Sequence, residues 1–358
     1  MDAIVQFWNN LTALPFMPYV LFVAGLVLLI FGGDWFVDGA SGIAKKFHIP
    51  ELLIGATVVS IGTTLPEVMV SSSAALKSLS EGGGAATAYG NAIGSVICNT
   101  ALVSAISIVA KPTGVERKTF VKPVIFYFAA AMFYAIISYT TGYFARWCGI
   151  VLLIGFVAYM VLLVMEAKQA MKSKPLTEAN VDLEHSELNK TEEKEEEEEK
   201  EHSLIHDIVF LILGAAAIAL GANLLVDNGI VISKQLGVPE SVIALIFVAL
   251  GTSLPELVTA ITALAKGHSD LSLGNIVGAN LFNLVLVSGL AMTLAPFHIP
   301  VEKTLFGMNA ALLVDVPMMI LVMAILTVPT LIKKKLQRWQ GVALLVLYVG
   351  YVVFQLAV

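Results

Sequence analysis

The chain has 358 residues, of which 58% are hydrophobic and 13% are charged, and its mean hydropathy is +0.85. Because a soluble domain carries about 25% charged residues, this composition excludes an ordinary soluble protein. It predicts an all-α, multi-pass membrane protein in a lipid bilayer. The formal net charge of −6 comes mostly from one acidic segment, so it does not indicate a nucleic-acid partner. Nothing in the sequence indicates an obligatory protein partner.

A membrane-spanning helix requires about 20 mainly apolar residues. Ten segments of the sequence meet this requirement, at about 17–43, 50–77, 86–110, 120–141, 146–168, 205–233, 239–265, 272–294, 304–329 and 338–357. A polar segment, 170–203, separates the fifth from the sixth and contains five consecutive glutamates at 195–199. We therefore predict a first five-helix transmembrane repeat at 1–169, an acidic linker at 170–203 and a second five-helix repeat at 204–358.

Positive charge is concentrated in alternate loops, and this asymmetry predicts the orientation of the chain. If the N-terminus is outside, the outer loops hold only four basic residues, Lys77, Arg146, Lys234 and Lys303. The inner loops hold eleven without the linker, namely Lys45, Lys46, Lys111, Arg117, Lys118, Lys122, Lys266, Lys333, Lys334, Lys335 and Arg338. We therefore predict that both termini are outside and the linker is cytoplasmic. Because five is an odd number, the second half must enter the membrane inverted relative to the first.

The two halves share sequence motifs. Ile-Gly-Thr-Thr-Leu-Pro-Glu at 61–67 recurs as Leu-Gly-Thr-Ser-Leu-Pro-Glu at 250–256, and Gly-Asn-Ala-Ile-Gly-Ser at 90–95 recurs as Gly-Asn-Ile-Val-Gly-Ala at 274–279. With an offset of 189 residues, the alignment extends without a gap over 37–67; the later motifs follow a five-residue insertion in the first half. Inverted repeats with broken helices and a central site are a recurring plan of transporters.

Each heptapeptide ends in a glutamate inside an apolar run. A carboxylate is costly in hydrocarbon and marks a functional site by default, so Glu67 and Glu256 together predict a small cation held between the two halves. The alternative for either motif alone is a structural acid at a helix kink. Finding the motif twice, in symmetric context, favours the functional interpretation.

The prolines of the heptapeptides predict kinked second and seventh helices. Pro66 has no N–H, and its ring crowds the carbonyl group four residues earlier, so we expect the second helix to kink or unwind near Ser60 to Thr64. The seventh helix should open likewise before Pro255, near Ala249. The freed carbonyl groups are tolerated at membrane depth only where protein or a polar cavity covers them.

Hydroxyl and amide side chains accompany the two acids. Residues three and four apart on a helix are neighbours, which places Thr63 and Thr64 beside Glu67, and Thr252 and Ser253 beside Glu256. The next helix of each half carries a polar stripe, formed by Asn91, Ser95 and Asn99 in the first half and by Asn275 and Asn283 in the second. Carboxylate, hydroxyl and carbonyl oxygens suit sodium, calcium or magnesium, and calcium takes 6–8 such ligands. Interhelical hydrogen bonding is an equal alternative for Asn91 and Asn275.

At these paired motifs the chain resembles the cation/calcium antiporter superfamily, and most closely its short prokaryotic sodium/calcium exchangers. The resemblance covers nearly the whole chain and implies ten helices in inverted halves, a prokaryotic plasma membrane and no cofactor. It implies four clustered sites that sodium and one calcium use alternately. It also implies that the first and sixth helices slide over the other eight. The ligands it implies are Glu67, Glu256, Thr63, Thr64, Thr252, Ser253, Asn99, Ser95 and Asn283, with the carbonyl oxygens of Ser60 and Ala249.

Two positions depart from the pattern of the family. Asn283 stands where many relatives have an aspartate that resembles the potassium determinant of potassium-dependent branches, so we expect no potassium transport. Ala279 replaces a common serine and removes one hydroxyl ligand. The proton/calcium branch usually has a glutamate shortly after the Gly-Asn pair, and neither half has one, which favours sodium over protons.

The sequence thus predicts exchange of sodium for calcium by alternating access. Exchange of protons for calcium or another divalent cation is the alternative, and a cation channel fits the two-fold, kinked site poorly. The sequence contains neither the zinc-protease motif His-Glu-x-x-His nor a nucleophile elbow, so we do not expect an enzyme.

Overall fold

The structure is a computed structural model that describes residues 16–80, 84–115, 117–173, 203–237, 251–301 and 304–357. This part of the chain is nearly all helical. The α-helices are α1 Met17–Lys46, α2 Glu51–Ile54, α3 Ser60–Ser80, α4 Gly84–Cys98, α5 Ser104–Ala110, α6 Arg117–Thr140, α7 Arg146–Ser173, α8 Leu204–Gln235, α9 Leu254–Ala265, α10 Ser269–Phe282, α11 Ser288–Leu294, α12 Val316–Lys333 and α13 Arg338–Ala357.

Eight helical stretches of the described chain are long and apolar enough to cross a membrane, and they correspond to predicted spans one to six, eight and nine. They are Met17–Lys46, Glu51–Leu76, Ala88–Ala110, Phe120–Thr140, Arg146–Gln169, Leu204–Ile232, Ser269–Leu294 and Ala311–Lys333. The chain is therefore an integral, multi-pass membrane protein. The seventh predicted span is described only from residue 251 and contains the shorter apolar helix α9. The tenth corresponds to α13, of 20 residues.

Four segments of π-helix interrupt or extend the α-helices within the part of the chain that the structure describes. They are π1 Gly55–Val59, π2 Asn99–Val103, π3 Asn283–Val287 and π4 Ala311–Asp315. The first three join α2 to α3, α4 to α5 and α10 to α11, so each lies within a membrane-spanning stretch. A single π turn inside an α-helix is frequent at functional sites, and π2 and π3 begin at the two asparagines that close the predicted polar stripes.

The second helix does not unwind near Ser60 to Thr64, so that part of the prediction is wrong, while the kink stays a prediction. The chain is helical throughout that segment, Pro66 lies inside α3, and the irregular turn is π1, which ends one residue before Ser60. The wide turn π1 precedes Pro66 in the same helical stretch, where it can absorb the distortion that the proline causes while the chain stays helical. The seventh span differs, because Thr252 and Ser253 form a turn and Pro255 lies at the start of α9, where a missing N–H is tolerated.

The long helices α1 and α8 pack against each other through glycines. A Cβ atom on Gly25 would lie 2.8 Å from the Gly221 carbonyl oxygen, and one on Gly32 would lie 2.9 Å from the Ala217 Cβ atom and 3.1 Å from the Gly214 carbonyl oxygen. With the offset of 189 residues, Gly25 aligns with Gly214 and Gly32 with Gly221. Each helix therefore contributes the same two glycines to the interface, and their absent side chains allow the backbones to approach closely.

Short loop contacts join helix ends that were predicted to share a side of the membrane. The strands Tyr143–Phe144 and Phe297–His298, both in predicted outer loops, pair in antiparallel fashion. Gly114 and Lys335, both in predicted inner loops, form an antiparallel bridge. Exchanging the two halves converts one contact into the other, which is what a two-fold relation between the halves produces. A further hairpin joins Thr304–Leu305 to Met308–Asn309.

The glycine interface predicts that Gly25→Ala lowers thermal stability. The added methyl group would overlap the backbone of α8, and overpacking of this kind costs about 1–3 kcal/mol. Melting of the detergent-purified protein, followed by size-exclusion chromatography, measures the effect. The matched control is Gly155→Ala in α7, where a Cβ atom meets nothing within 4 Å. Equal melting temperatures for the two variants would contradict the packing argument.

Candidate functional site

The two motif glutamates are fully buried in the helical bundle. Glu67 lies on α3 and Glu256 on α9, both with no exposed surface. They are close enough for mutual electrostatic repulsion. The salt bridges between residues of the described chain all involve other acids, so no basic side chain within it neutralises either glutamate. Two like charges in a medium of low dielectric constant are unfavourable, and a bound cation would relieve this repulsion.

The buried asparagines Asn99 and Asn283 begin segments that contact the glutamate-bearing helix of the other half. The segment π2, which begins at Asn99, contacts α9 with Glu256, and π3, which begins at Asn283, contacts α3 with Glu67. The sequence left open whether each asparagine would approach the acid of its own half or of the other half. In the structure, the segment that begins at each asparagine contacts the helix that carries the glutamate of the other half.

Reciprocal hydrogen bonds link the halves beside the acids. The Thr63 hydroxyl donates to Asn275 Oδ1 at 3.2 Å, and the Thr252 hydroxyl donates to Asn91 Oδ1 at 3.4 Å. The Asn91 amide also donates to the Glu67 carbonyl oxygen at 3.2 Å and to Ser71 Oγ at 2.8 Å. Asn91 and Asn275 thus form interhelical hydrogen bonds, which was one of the two interpretations of these residues in the sequence analysis.

Ser60 extends this junction. Its hydroxyl is buried and lies 2.7 Å from the Gly55 carbonyl oxygen in π1, 3.1 Å from the Asn275 carbonyl oxygen and 3.4 Å from Asn275 Oδ1. The Gly55 carbonyl oxygen therefore accepts hydrogen bonds from both the backbone N–H and the hydroxyl of Ser60. Thr63, one turn later, faces the Glu256 carboxylate of the other half as well as Asn275. The first-half helix with Glu67 thus also contributes to the surroundings of Glu256.

Several buried polar atoms around the two acids have no hydrogen-bonding partner within the described chain. They are both carboxylate oxygens of Glu67 and Glu256, the amide atoms of Asn99 and Asn283, and the hydroxyl oxygens of Thr64 and Ser253. An unpartnered buried polar group is costly, and such groups need an explanation such as an ion or water. Because most of these atoms are oxygens with lone pairs, the donor set suits a hard cation.

A narrow cavity reaches this centre from the side of α1 and α8. It is lined by Phe36, Thr63, Pro66, Ala215, Ile218 and Pro255. Neither glutamate lines this cavity, but its two prolines directly precede Glu67 and Glu256 in the sequence. The helix pair α1 and α8 therefore covers the site on one face, while α4, α5, α10 and α11 surround it on the other.

Of the two remaining predicted ligands, Ser95 and Ala249, the structure describes only Ser95. Ser95 is buried on α4, one turn before Asn99. Ala249 lies outside the described residues, as does most of the linker at 170–203. Within the described chain, no group of three or more His, Cys, Asp or Glu residues is arranged to hold a metal ion. Any cation at this centre would therefore rely on hydroxyl, amide and carbonyl oxygens in addition to the two carboxylates.

Comparison with known proteins identifies the family. A family model described as sodium/calcium exchanger protein matches residues 17–165 and 206–357. The chain belongs to the sodium/calcium exchanger family. The two matched stretches coincide closely with the two predicted repeats, so this membrane protein is a transporter of the exchanger type.

Individual relatives agree over nearly their full length. The chain is 33% identical to the putative antiporter CaxA of Alkalimonas amylolytica, over 93% of this chain and 96% of that protein. It is 30% identical to the sodium/calcium exchanger MaX1 of Methanosarcina acetivorans, over 94% and 97% respectively. A solved structure of the sodium-calcium exchanger NCX_Mj superposes with a TM-score of 0.74 at 29% identity, covering 95% of this chain and 99% of that one.

The unpartnered acids predict that calcium stabilises the protein and that Glu67→Gln removes most of this effect. A ligand that binds only the folded state stabilises it by about 2.7 kcal/mol at about 100 times its Kd. Melting with and without calcium, in sodium-free buffer, measures this stabilisation. The matched control is Glu166→Gln, which removes an acid that pairs with Lys122 near the end of α7. A calcium shift of wild-type size in Glu67→Gln would contradict the assignment.

Proposed function

We propose that this protein exchanges sodium for calcium across the membrane by alternating access. The observation that carries the proposal is the pair of buried, unpartnered carboxylates, Glu67 and Glu256, contributed by two halves that share one motif. The relatives named for sodium/calcium exchange support the choice of ions, since their similarity covers nearly the whole chain.

Charge balance explains why such a site would act as an exchanger. Two carboxylates carry two negative charges, which one calcium ion or about two sodium ions would neutralise. The empty site would leave both charges unpaired in a medium of low dielectric constant, and this state is costly. The movement that reorients the site is therefore expected only with ions bound. Competition of the two ions for the same oxygens then makes calcium leave when sodium enters.

The ligands that we assign combine carboxylate, hydroxyl, amide and carbonyl oxygens. They are Glu67, Glu256, Thr63, Thr64, Thr252, Ser253, Asn99, Asn283 and Ser95, with the carbonyl oxygens of Ser60 and Ala249. The unpartnered atoms of Asn99, Asn283, Thr64 and Ser253 support this set. Thr63 and Ser60 already donate hydrogen bonds to Asn275, and their oxygens keep lone pairs for a cation.

We further propose ten transmembrane helices in two inverted halves, with the acidic linker cytoplasmic and both termini outside. The reciprocal loop contacts, the exchanged glycines of α1 and α8 and the reciprocal threonine–asparagine bonds all support a two-fold relation. The choice of the cytoplasmic side depends on the distribution of basic residues alone.

The decisive experiment is uptake of radioactive calcium into proteoliposomes. An imposed outward sodium gradient should drive uptake in the wild-type protein, whereas Glu67→Gln and Glu256→Gln should reduce it by at least about tenfold, since each removes one of only two charged ligands. Glu166→Gln serves as the control for an acid outside the site. Uptake at the wild-type rate by either site variant would overturn the proposal.

The same vesicles separate sodium exchange from its alternatives. A pH step without sodium tests proton coupling, and replacing potassium by choline on both sides should leave the sodium-driven rate unchanged, because Asn283 carries no charge. Uptake driven only by the pH step would favour the proton/calcium exchanger. Calcium conductance without any counter-ion gradient would favour a channel.

A further inference from the structure

One basic residue connects the end of α9 to the helix pair that covers the site. Lys266 follows α9 directly, and its ammonium group lies 2.8 Å from Asp38 Oδ1, 3.3 Å from Asp34 Oδ1 and 3.2 Å from the Asp34 carbonyl oxygen. Both aspartates lie on α1. The ion pair therefore joins α1 to α9 on the predicted cytoplasmic side, next to the point where Gly33 packs tightly against Val258 and Thr262.

The sequence contains the same pair a second time. With the offset of 189 residues, Asp38 aligns with Asp227 on α8, and Lys266 aligns with Lys77 on α3. Exchanging the halves therefore relates the contact of α1 with α9 to a contact of α8 with α3 on the predicted outer side. Asp34 aligns with Asn223, so the second pair has one acid where the first has two.

The two contacts differ in the structure. Helix α1 contacts α9 extensively, and the contact of α8 with α3 is much smaller. Asp227 is exposed and forms no ion pair with a residue whose side chain is described, while the side chain of Lys77 lies outside that part. Met69 on α3 is 71% exposed, whereas Val258, its counterpart on α9, is partly buried. The predicted cytoplasmic contact is thus closed and the predicted outer contact is open.

We propose that these pairs are alternating latches of the transport cycle, Lys266 with Asp34 and Asp38 on one side and Lys77 with Asp227 on the other. The inference rests on the proposed exchange by alternating access. Because glycine contacts hold α1 and α8 together as one unit, a movement of that unit which breaks the first pair can form the second. Lys266 is a positioning residue, since its ammonium group binds Asp34 and Asp38 and not the ion site; Lys77 is assigned the same role by the alignment.

The strength of the pairs suits this role. Lys266 is 28% exposed and Asp38 is 50% exposed, and exposed ion pairs change an equilibrium by no more than about fivefold. A much stronger pair would trap one state. Since only the first pair has a second acid, the closed cytoplasmic contact should be favoured, in agreement with the structure.

The test measures the outer gap directly. Spin labels attached after Leu79→Cys, near the end of α3, and Leu236→Cys, just after α8, report the distance between these helix ends by pulsed electron resonance in lipid nanodiscs. Both positions are exposed, and the two native cysteines are buried. A chain without the introduced cysteines gives the background.

Lys266→Gln should increase the population with the short outer distance by up to about fivefold, Lys266→Arg should restore the wild-type distribution, and Lys77→Gln should decrease the short-distance population. Lys122→Gln, which breaks the ion pair between α6 and α7, is the matched control and should have no effect. If Lys266→Gln does not fold, the Asp34→Asn and Asp38→Asn double variant breaks the same latch from α1.

The proposal is overturned if Lys266→Gln, or the double variant in its place, behaves like Lys122→Gln, or if Lys266→Gln and Lys77→Gln shift the distance in the same direction. The distances are measured without any ion gradient. Their outcome is therefore independent of the ions that drive transport, and a failure of sodium-driven calcium uptake remains distinguishable from a failure of the latches.

Discussion

The mutual repulsion of Glu67 and Glu256 is the constraint on which the rest of the structure depends. Two carboxylates without a basic partner in the described chain, inside a bundle that spans a membrane, are tolerable only if something else compensates their charge. The surrounding elements provide oxygens for a cation, and no basic side chain of the described chain competes with it for the two carboxylates. Hydroxyl and amide groups converge from four helices, and no salt bridge of the described chain reaches the centre.

The two halves of the chain supply the same kinds of groups to this centre. Each half contributes a glutamate, a hydroxyl-bearing turn and an asparagine, and the structure crosses them, because π2 of the first half contacts α9 and π3 of the second half contacts α3. The threonine–asparagine bonds cross in the same way. A site built from exchanged contacts cannot form in one half alone, so the two halves are held together by the groups that surround the ions.

Departures from symmetry carry the remaining information. Ala279 stands opposite Ser95 in the alignment, and Asn223 stands opposite Asp34. The first difference removes an oxygen near the site, and the second removes an acid from α8. The packing is also asymmetric, since α1 contacts α9 more extensively than α8 contacts α3.

Much of this protein follows from its sequence, because apolar length, charge asymmetry and motif repetition are local properties. They predicted the spans that the structure describes as helices, the family and the identity of the two buried acids. Which side chains come into contact is not a local property of the sequence. The approach of π2 to the helix of Glu256, and of π3 to the helix of Glu67, depends on how α3, α4, α9 and α10 pack. The wide turn π1 was also not predicted; it directly precedes the segment where a kink or unwinding was expected, and it packs against α10.

The sequence by itself therefore determined that each half of the chain would bring one carboxylate into the membrane. Only the tertiary structure decided that Asn91 and Asn275 bind across the junction, that glycines join α1 to α8, and that Lys266 connects α1 to α9. These contacts join residues more than 150 positions apart. A periodic pattern specifies the face of a helix, but the partner of that face is set by the packing of the whole bundle.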